Sequence, residues 1–541
     1  MYEPRGPLGI PRLFCFVHTI TKRPPASAAF FIFGKRGCGI MIFPDFETFR
    51  TLARDGNLIP VYRELLADTE TPVTALLKLR EERNVFLLES VEGSEKWGRY
   101  TFLGLSPRLV FRVRGREVRI QENGERRVLE HGGDPLRFLK DILGRYRPVT
   151  LPELPRFFGG AVGFLGYDMI RFFEKKLDRR PRRAGGTDDA VFLLTDTLLV
   201  FDNVRHTLKV VSCARTDGGA DLRSAYDEAA GKIEELIARL KEAPAPLVAP
   251  RALPAGEEAF AGTMTEEEFR AMVVRAKEYI VAGDVIQVVL SQRFERNSSV
   301  DPVNLYRALR YVNPSPYLFF LKIDGFHLIG SSPEVMVRLE EGIAELKPIA
   351  GTRRRGATEQ EDRRLADELL RDPKEKAEHV MLVDLGRNDL GRIARTGSVQ
   401  VSQLMAVERY SHVMHLVSHI QAQVADGRDA FDVLRAAFPA GTLTGAPKVR
   451  AMEIIDELEK YPRGPYGGAV GYISYTGNMD LCITIRTMML AEGRLSVQAG
   501  AGIVADSDPR SEYEETLHKA GGMFRAVALA ENGFQLNGGA R

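Results

Sequence analysis

The stretch YGGAVGYISYT, residues 466–476, has a counterpart far upstream in FGGAVGFLGYD, residues 158–168. Each sets paired glycines among small, branched and aromatic residues. Glycine inside a strand pattern marks a bend or a place where another backbone comes close. One such segment in each half of the chain predicts a pair of related β-layers. Neither has the GxGxxG spacing of a dinucleotide-binding turn, so that fold is not indicated.

Strand patterns continue outward from these segments. VFLLES (85–90), LVFRVRG (109–115) and AVFLLTDTLLVFD (190–202) are rich in branched and aromatic residues. DLRSAYDEAAGKIEELIARLKE (221–242) predicts an amphipathic helix with Ile233, Leu236, Ile237 and Leu240 on one face. The Pro/Ala-rich run 243–262 reads as a linker between an N-terminal region, 41–242, and a C-terminal region, 263–535. The second region opens on a helix capped by Thr265 with Glu268 and stopped at Gly283. The strand VIQVVLSQRFE follows directly. Residues 1–40 read as a disordered extension, a transit segment, or the product of a start codon placed upstream of Met41.

Composition narrows the function. Among 541 residues, 75 Lys plus Arg balance 73 Asp plus Glu, so no basic excess draws nucleic acid or an anionic membrane. No apolar run is long enough to span a bilayer. Cys15, Cys38, Cys213 and Cys482 are scattered without metal spacing, which fits reduced thiols in a cytoplasmic protein.

Two acidic helices carry the first chemical signal. In KEKAEHVMLVDLGRND (374–389), Glu375 and Glu378 share a face, with Val380, Met381, Val383 and Leu385 on the apolar side. In DSDPRSEYEETLHKAGGMFRAV (506–527), Glu512 and Glu515 repeat the spacing, and either Asp508 or a Ser511–Glu514 box caps the helix. Each pair alone reads more simply as a solvated or salt-bridged helix face. Converging, they suit Mg²⁺, which takes oxygen ligands beside an anionic substrate. FPAGTLTGAPKVRAMEII (438–455) puts a Gly/Thr turn before a helix, either a structural turn or an anion site at the helix N-terminus. Arg486 interrupts an apolar strand and needs an anionic partner. Glu334 opens an apolar alternation, and His415 lies in RYSHVMHLVSHI. KPIAGTRRRG (347–356) ends in three arginines that lead into an acidic helix, a carboxylate-paired or solvated edge.

Taken in order, LLES, NPSPYLFFL, GSSPE, PIAGTRRRG, AEHVMLVDLGRND, ERYSHVMHLVS, GTLTGAPK, YGGAVGY, IRTMM, QAGAGIVADSDP and EYEETLHKA resemble the chorismate-utilising enzymes, most closely the large subunits of anthranilate synthases. The resemblance spans about Met41 to residue 530. It implies an α+β fold of two large packed β-sheets, a sandwich surrounded by helices, with the site between them. It implies Mg²⁺ ligation by Glu378 and Glu515, with Glu375 and Glu512 holding the metal's waters. Tyr466, Arg486 and the Gly502 backbone would hold the enolpyruvyl carboxylate of chorismate, and Thr352, Gly351 and Thr442 the rest of the substrate. Glu334 would be the general acid and His415 the group required for elimination of pyruvate.

Within the family, Gln287 stands where water-using synthases carry a lysine base, and Ala350 where aminodeoxychorismate synthases commonly carry lysine. Both departures point to ammonia as nucleophile and anthranilate as product, with aminodeoxychorismate synthesis or a non-catalytic binding role as alternatives. The resemblance further implies a separate glutamine amidotransferase subunit in a hetero-oligomer, since no cysteine sits in a glutaminase pattern. It also implies feedback inhibition by tryptophan bound at Glu89, Ser90, Pro316, Tyr317, Leu318 and Tyr472, with Arg99 the nearest candidate for an accompanying basic residue.

Overall fold

The computed structural model describes residues 41–90, 98–178, 186–219, 221–243, 259–410 and 413–535. The extension 1–40 and most of the 243–262 linker lie outside the described residues. The remainder, from Ile42 on, forms one unit.

The two glycine-rich segments become neighbouring strands, not separate layers. Gly160–Leu165 pairs antiparallel with Ala469–Ser474 in a single sheet. The glycines permit the approach: a β-carbon at Gly163 would lie 1.9 Å from the Val191 carbonyl oxygen, and one at Gly471 2.1 Å from that of Asp480. Gly163→Ala is expected to destabilise the fold by about 1–3 kcal/mol through overpacking, read as a lowered midpoint in denaturant unfolding.

Two sheets of twelve described strands each form the molecule. The order of each sheet mirrors itself about a central junction. In the first sheet the junction is Asn84–Glu89 against Tyr317–Ile323; in the second it is the pair of glycine-rich strands. Strands from before and after the linker build both sheets, so the run at 243–262 is a boundary in sequence that neither sheet respects. The stretch 190–202 is split between the sheets: Ala190–Thr195 lies in the second and Thr197–Asp202 in the first.

Alternation along the strands explains the layering. Phe86 of the Asn84–Glu89 strand and Phe319 and Leu321 of its partner point into the core shared by both sheets, with Phe111, Phe164 and Phe192. Val85, Leu87, Leu318 and Phe320 point the other way. There they meet the apolar face of the Leu222–Lys241 helix, whose Ile233, Leu236, Ile237 and Leu240 are buried as its period requires, and the inner faces of Pro302–Val312 and Pro509–Glu531. No helix among the described residues is long and apolar enough to cross a membrane.

Local signals fixed most helix ends. Thr265 and Glu268 form the capping box ahead of Glu266–Val281, and Gly283, at φ +83°, follows its end. Asp508, not Ser511, caps Pro509–Glu531 by accepting from the Ser511 N–H. The helix after GTLTGAP begins only at Lys448, with no side-chain cap. Thr442 therefore lies in a separate short turn, Gly441–Leu443, and not at a helix N-terminus. On Pro373–Gly391 the buried face runs through His379, Leu382, Val383 and Leu390, while Val380 is 53% exposed.

Candidate active site

The chain crosses from the first sheet to the second between Ser332 and Val335, and Glu334 sits on that crossing. It crosses back between Ile483 and Thr487, with Arg486 on the return. The Ile483 N–H donates to the Glu334 carbonyl at 3.0 Å and the Ser331 N–H to the Arg486 carbonyl at 3.2 Å, tying the crossings together. Arg486 has φ +49°, an uncommon left-handed conformation for a residue with a β-carbon. The two side chains share a largely buried space.

Burial pushes the Glu334 carboxyl up to about 8, against the opposing pull of the Thr442 hydrogen bond and the Arg486 and Lys519 charges. At neutral pH the carboxyl thus keeps its proton. Its Oε1 accepts from Thr442 Oγ1 at 3.0 Å, which leaves the other oxygen to donate. Burial lowers the Arg486 pKa, and Glu334 is the opposing charge. A buried guanidinium of this kind is suited to an anion arriving from solution. A small cavity of about 40 Å³ runs beneath Glu334 and Thr442, bounded by Leu382 and Ile483.

His415 stands at the rim of the same space on Val413–Gln423. A bulge in the facing Ile349–Arg354 strand, between Ala350 and Thr352, aims Thr352 at it. His415 Nδ1 lies 3.0 Å from Thr352 Oγ1 and 3.1 Å from the Gly351 carbonyl oxygen. A carbonyl only accepts, so Nδ1 carries the proton and Nε2 keeps a lone pair. Burial lowers the ring's pKa, which keeps it neutral. Gly351, at φ +65°, makes the bulge; a β-carbon there would lie 3.0 Å from Glu375 Oε2. The loop thus packs closely on the acidic helix, to which Arg353 ties it through Glu375.

The two acidic helices do converge. Burial raises the Glu378 pKa, reinforced by the charges of Glu375 and Glu515 and opposed by Lys519 and a hydrogen bond from Gln287. Burial likewise raises Glu512, with Glu515 adding to it. Such carboxylates lack enough local positive charge. Lys519 Nζ, 2.6 Å from Glu515 and 3.0 Å from the Gly500 carbonyl oxygen, supplies part of it. Arg353, 3.2 Å from Glu375, supplies more. Among the described residues no three His, Cys, Asp or Glu side chains enclose an ion. The donor set is nevertheless all oxygen, on two facing helices, which is the chemistry a hard divalent cation takes.

Gln287 closes the space from the opposite side. Its Oε1 is buried without a hydrogen-bond partner, and its Nε2 would sit 2.5 Å from a β-carbon at Gly502, the glycine paired with Val289 across the strand. A side chain at 502 would push the amide out of this position. Tyr466 is buried, its hydroxyl 2.8 Å from where a β-carbon of Gly500 would stand.

Two charged residues under Tyr466 carried too weak a sequence signal to be singled out. Arg463, 2% exposed, binds Glu459 at 2.6 Å, the Leu443 carbonyl at 2.7 Å and the Val289 carbonyl at 2.8 Å. Its guanidinium also lies over the Tyr466 ring. It therefore braces the Thr442 turn, the Gln287 strand and Tyr466 at once. An i, i+4 Glu–Arg spacing was the available signal, and that spacing usually marks an exposed helix face.

The arginines of KPIAGTRRRG are paired with carboxylates. Arg353 reaches Asp372 and Glu375, Arg354 reaches Glu361, and Arg355 shares Asp362 with Arg409.

The residues proposed from resemblance as an effector site lie elsewhere, between the central junctions of the two sheets. Glu89 pairs with Leu318 across the strands. Its carboxylate accepts from Tyr306 at 2.8 Å and from Arg310 at 2.7 and 3.0 Å. Tyr317 donates to Asp480 at 2.9 Å, and the Tyr472 ring stacks on Phe157 at 4.3 Å. Ser90 and Pro316 flank these strands, with residues 91–97 outside the described set. Arg99 is committed to Asp202 at 2.7 Å and does not join the cluster.

Two sheets that exchange strands over a buried acid, a buried guanidinium and facing carboxylate helices define a recognisable class. The chain belongs to the chorismate binding enzyme family, whose pattern matches residues 119–525. Anthranilate synthase component 1 of Acetivibrio thermocellus is 48% identical over 496 residues, covering 91% of this chain and 99% of that protein. The crystal structure of anthranilate synthase component I from Streptococcus pneumoniae TIGR4 superposes with a TM-score of 0.70 at 38% identity, over 85% of this chain and 98% of that one. The menaquinone-specific isochorismate synthase of Escherichia coli shares the fold, with a TM-score of 0.64 at 20% identity, over 89% of this chain and 98% of its own.

Proposed function

We propose that this protein is the chorismate-converting component of an anthranilate synthase, making anthranilate and pyruvate from chorismate and ammonia at the entry to tryptophan biosynthesis. The observation that carries the reading is the Glu334 carboxyl, pushed up to about 8 by burial, beside Arg486, with Gln287 in place of a basic lysine. Chorismate carries two carboxylates: Arg486 offers a cationic end for one, and the acidic helices would hold the cation that meets the other.

Arg486, Tyr466 and the Gly502 backbone bind the enolpyruvyl carboxylate. Glu378 and Glu515 would ligate Mg²⁺, with Glu375 and Glu512 holding its waters; when bound, the ion neutralises and orients the ring carboxylate. Anchoring both ends fixes the ring and leaves one approach for the nucleophile. Ammonia forms a bond at C2 as the C4–O bond breaks, and Glu334 gives its proton to the departing hydroxide, which leaves as water. In the second step His415 Nε2 removes the C2 proton. The C3–O bond breaks, the ring becomes aromatic, and the departing enolpyruvate takes a proton at its methylene carbon to become pyruvate. Thr352 and Gly351 hold the imidazole tautomer, and Thr442 holds the acid.

Ammonia would come from a separate glutamine amidotransferase subunit, giving a hetero-oligomer. A glutaminase needs a reactive thiolate, and burial raises the pKa of both described cysteines, Cys213 and Cys482. Purified protein with chorismate, Mg²⁺ and ammonium should generate anthranilate fluorescence without any partner. Absence of fluorescence, with chorismate consumed, would count against the reading.

Tryptophan is proposed to inhibit by binding around Glu89, Ser90, Pro316, Tyr317, Leu318 and Tyr472. Glu89, already accepting three hydrogen bonds, offers a fixed negative charge for an ammonium group. Tyr472, six residues from Tyr466, links the regions. Glu89→Gln should raise the tryptophan concentration for half-inhibition about tenfold or more, the worth of one charged hydrogen bond, with the uninhibited rate retained.

A further inference from the structure

The catalytic crossings have counterparts in the other half of the molecule. GLSPR, residues 104–108, matches GSSPE, residues 330–334, with Arg108 standing where Glu334 stands. The match is structural as well. Gly104 lies opposite Phe86 and Gly330 opposite Phe319, and in each case a glycine β-carbon would strike that ring, at 2.2 and 2.1 Å. After each the chain leaves the first sheet for the second. The return crossing has the same twin: Asp196, between Thr195 and Thr197, occupies the place of Arg486. The polarity is exchanged, with base for acid on the way out and acid for base on the way back.

A cleft of about 520 Å³ opens over this second pair. Asp196 is 8% exposed and the Arg108 side chain 9%. Their nearest approach is 3.5 Å, and Arg108 also reaches Glu122. Even so, Nε and Nη2 of Arg108 and Oδ1 of Asp196 are buried without a hydrogen-bond partner. Buried polar atoms seldom go unmatched. Here unmatched donors and an unmatched acceptor stand side by side in one cleft, whose rim adds Arg215 and Glu235, with Lys232 paired to Glu228 and Arg239 to Glu82.

We propose that this cleft is a second ligand site, for a small amino-carboxylate. The ligand inserts where Arg108 and Asp196 stand 3.5 Å apart, parting them, and its carboxylate takes the Nε–Nη2 edge of the guanidinium, drawn in by Arg215. Its amine donates to Asp196 Oδ1. A plain anion would leave Asp196 unmatched, and a plain amine would leave Arg108 so. The catalytic pair, with its acid protonated, makes no such demand.

Anthranilate is a suitable probe, because it carries both groups and its own fluorescence reports binding without turnover. Saturable binding is expected in the parent protein. Arg108→Lys, which keeps the charge and loses the fork, should raise the dissociation constant about tenfold or more. Arg215→Gln, on the rim, should weaken binding without touching the buried pair, so a poorly folded Arg108 variant leaves the question decidable. Arg486→Gln should leave this binding in place. Binding that follows Arg486 and ignores Arg108 and Arg215 would overturn the proposal, as would none saturating below about 10 mM. None of these readings needs the protein to make anthranilate, so the site stands or falls apart from the reaction.

Discussion

Glu334→Gln is expected to cut kcat for ammonia-dependent anthranilate formation by about 10²–10⁴-fold, the usual contribution of a positioned general acid. The amide keeps the shape and can still accept from Thr442, so the fold and chorismate binding should persist. It cannot give a proton to the departing hydroxide. The pH profile makes the test sharper. Burial holds the carboxyl at about 8, and the protonated form is the active one. In the parent, kcat/KM should therefore be sustained below that value and fall as pH rises through it. The residual rate of Glu334→Gln should lack that limb. A variant with near-parental kcat would remove Glu334 from the chemistry.

Glu515→Gln should have an effect at least as large, by another route. Glu515 belongs to the two-helix carboxylate group, and its local partner is Lys519. Loss of one negative ligand should reduce Mg²⁺ affinity and leave the ring carboxylate of chorismate unanchored. Activity should drop at least 10²-fold at fixed Mg²⁺, recovering in part at high concentration. Circular dichroism and the unfolding midpoint should stay close to the parent, because this residue lies on the solvent side of the helix and outside its packed face. Full activity at ordinary Mg²⁺ would refute the assignment.

Much of this site was legible because its residues break local rules. Arg486 in an apolar strand and Glu334 at the head of another are costly in a core, and each proved to sit on a crossing between sheets. The i, i+3 carboxylate pairs are visible as spacing, yet nothing local shows that Glu378 and Glu515, 137 residues apart in sequence, lie on helices that face one another. The glycine echo predicts two layers, and the two segments are neighbours in one. Glycine spacing reports close approach and says nothing of which backbone approaches. At GTLTGAP the sequence leaves a structural turn and a helix N-terminus both open, and the turn is what forms: the helix starts only after Pro447, and Thr442 on its own short turn donates to Glu334. Arg463 escaped notice because its partners are carbonyls from distant segments, which no pattern in its own neighbourhood encodes.

The most direct test is to follow both products from one substrate. Purified protein is given chorismate, Mg²⁺ and ¹⁵N-ammonium, and the mixture is resolved by mass spectrometry. The account predicts ¹⁵N-anthranilate and pyruvate in equal amounts, with chorismate consumed to match. A ¹⁵N-labelled aminochorismate that keeps its enolpyruvyl group, or isochorismate carrying oxygen from water, would contradict it.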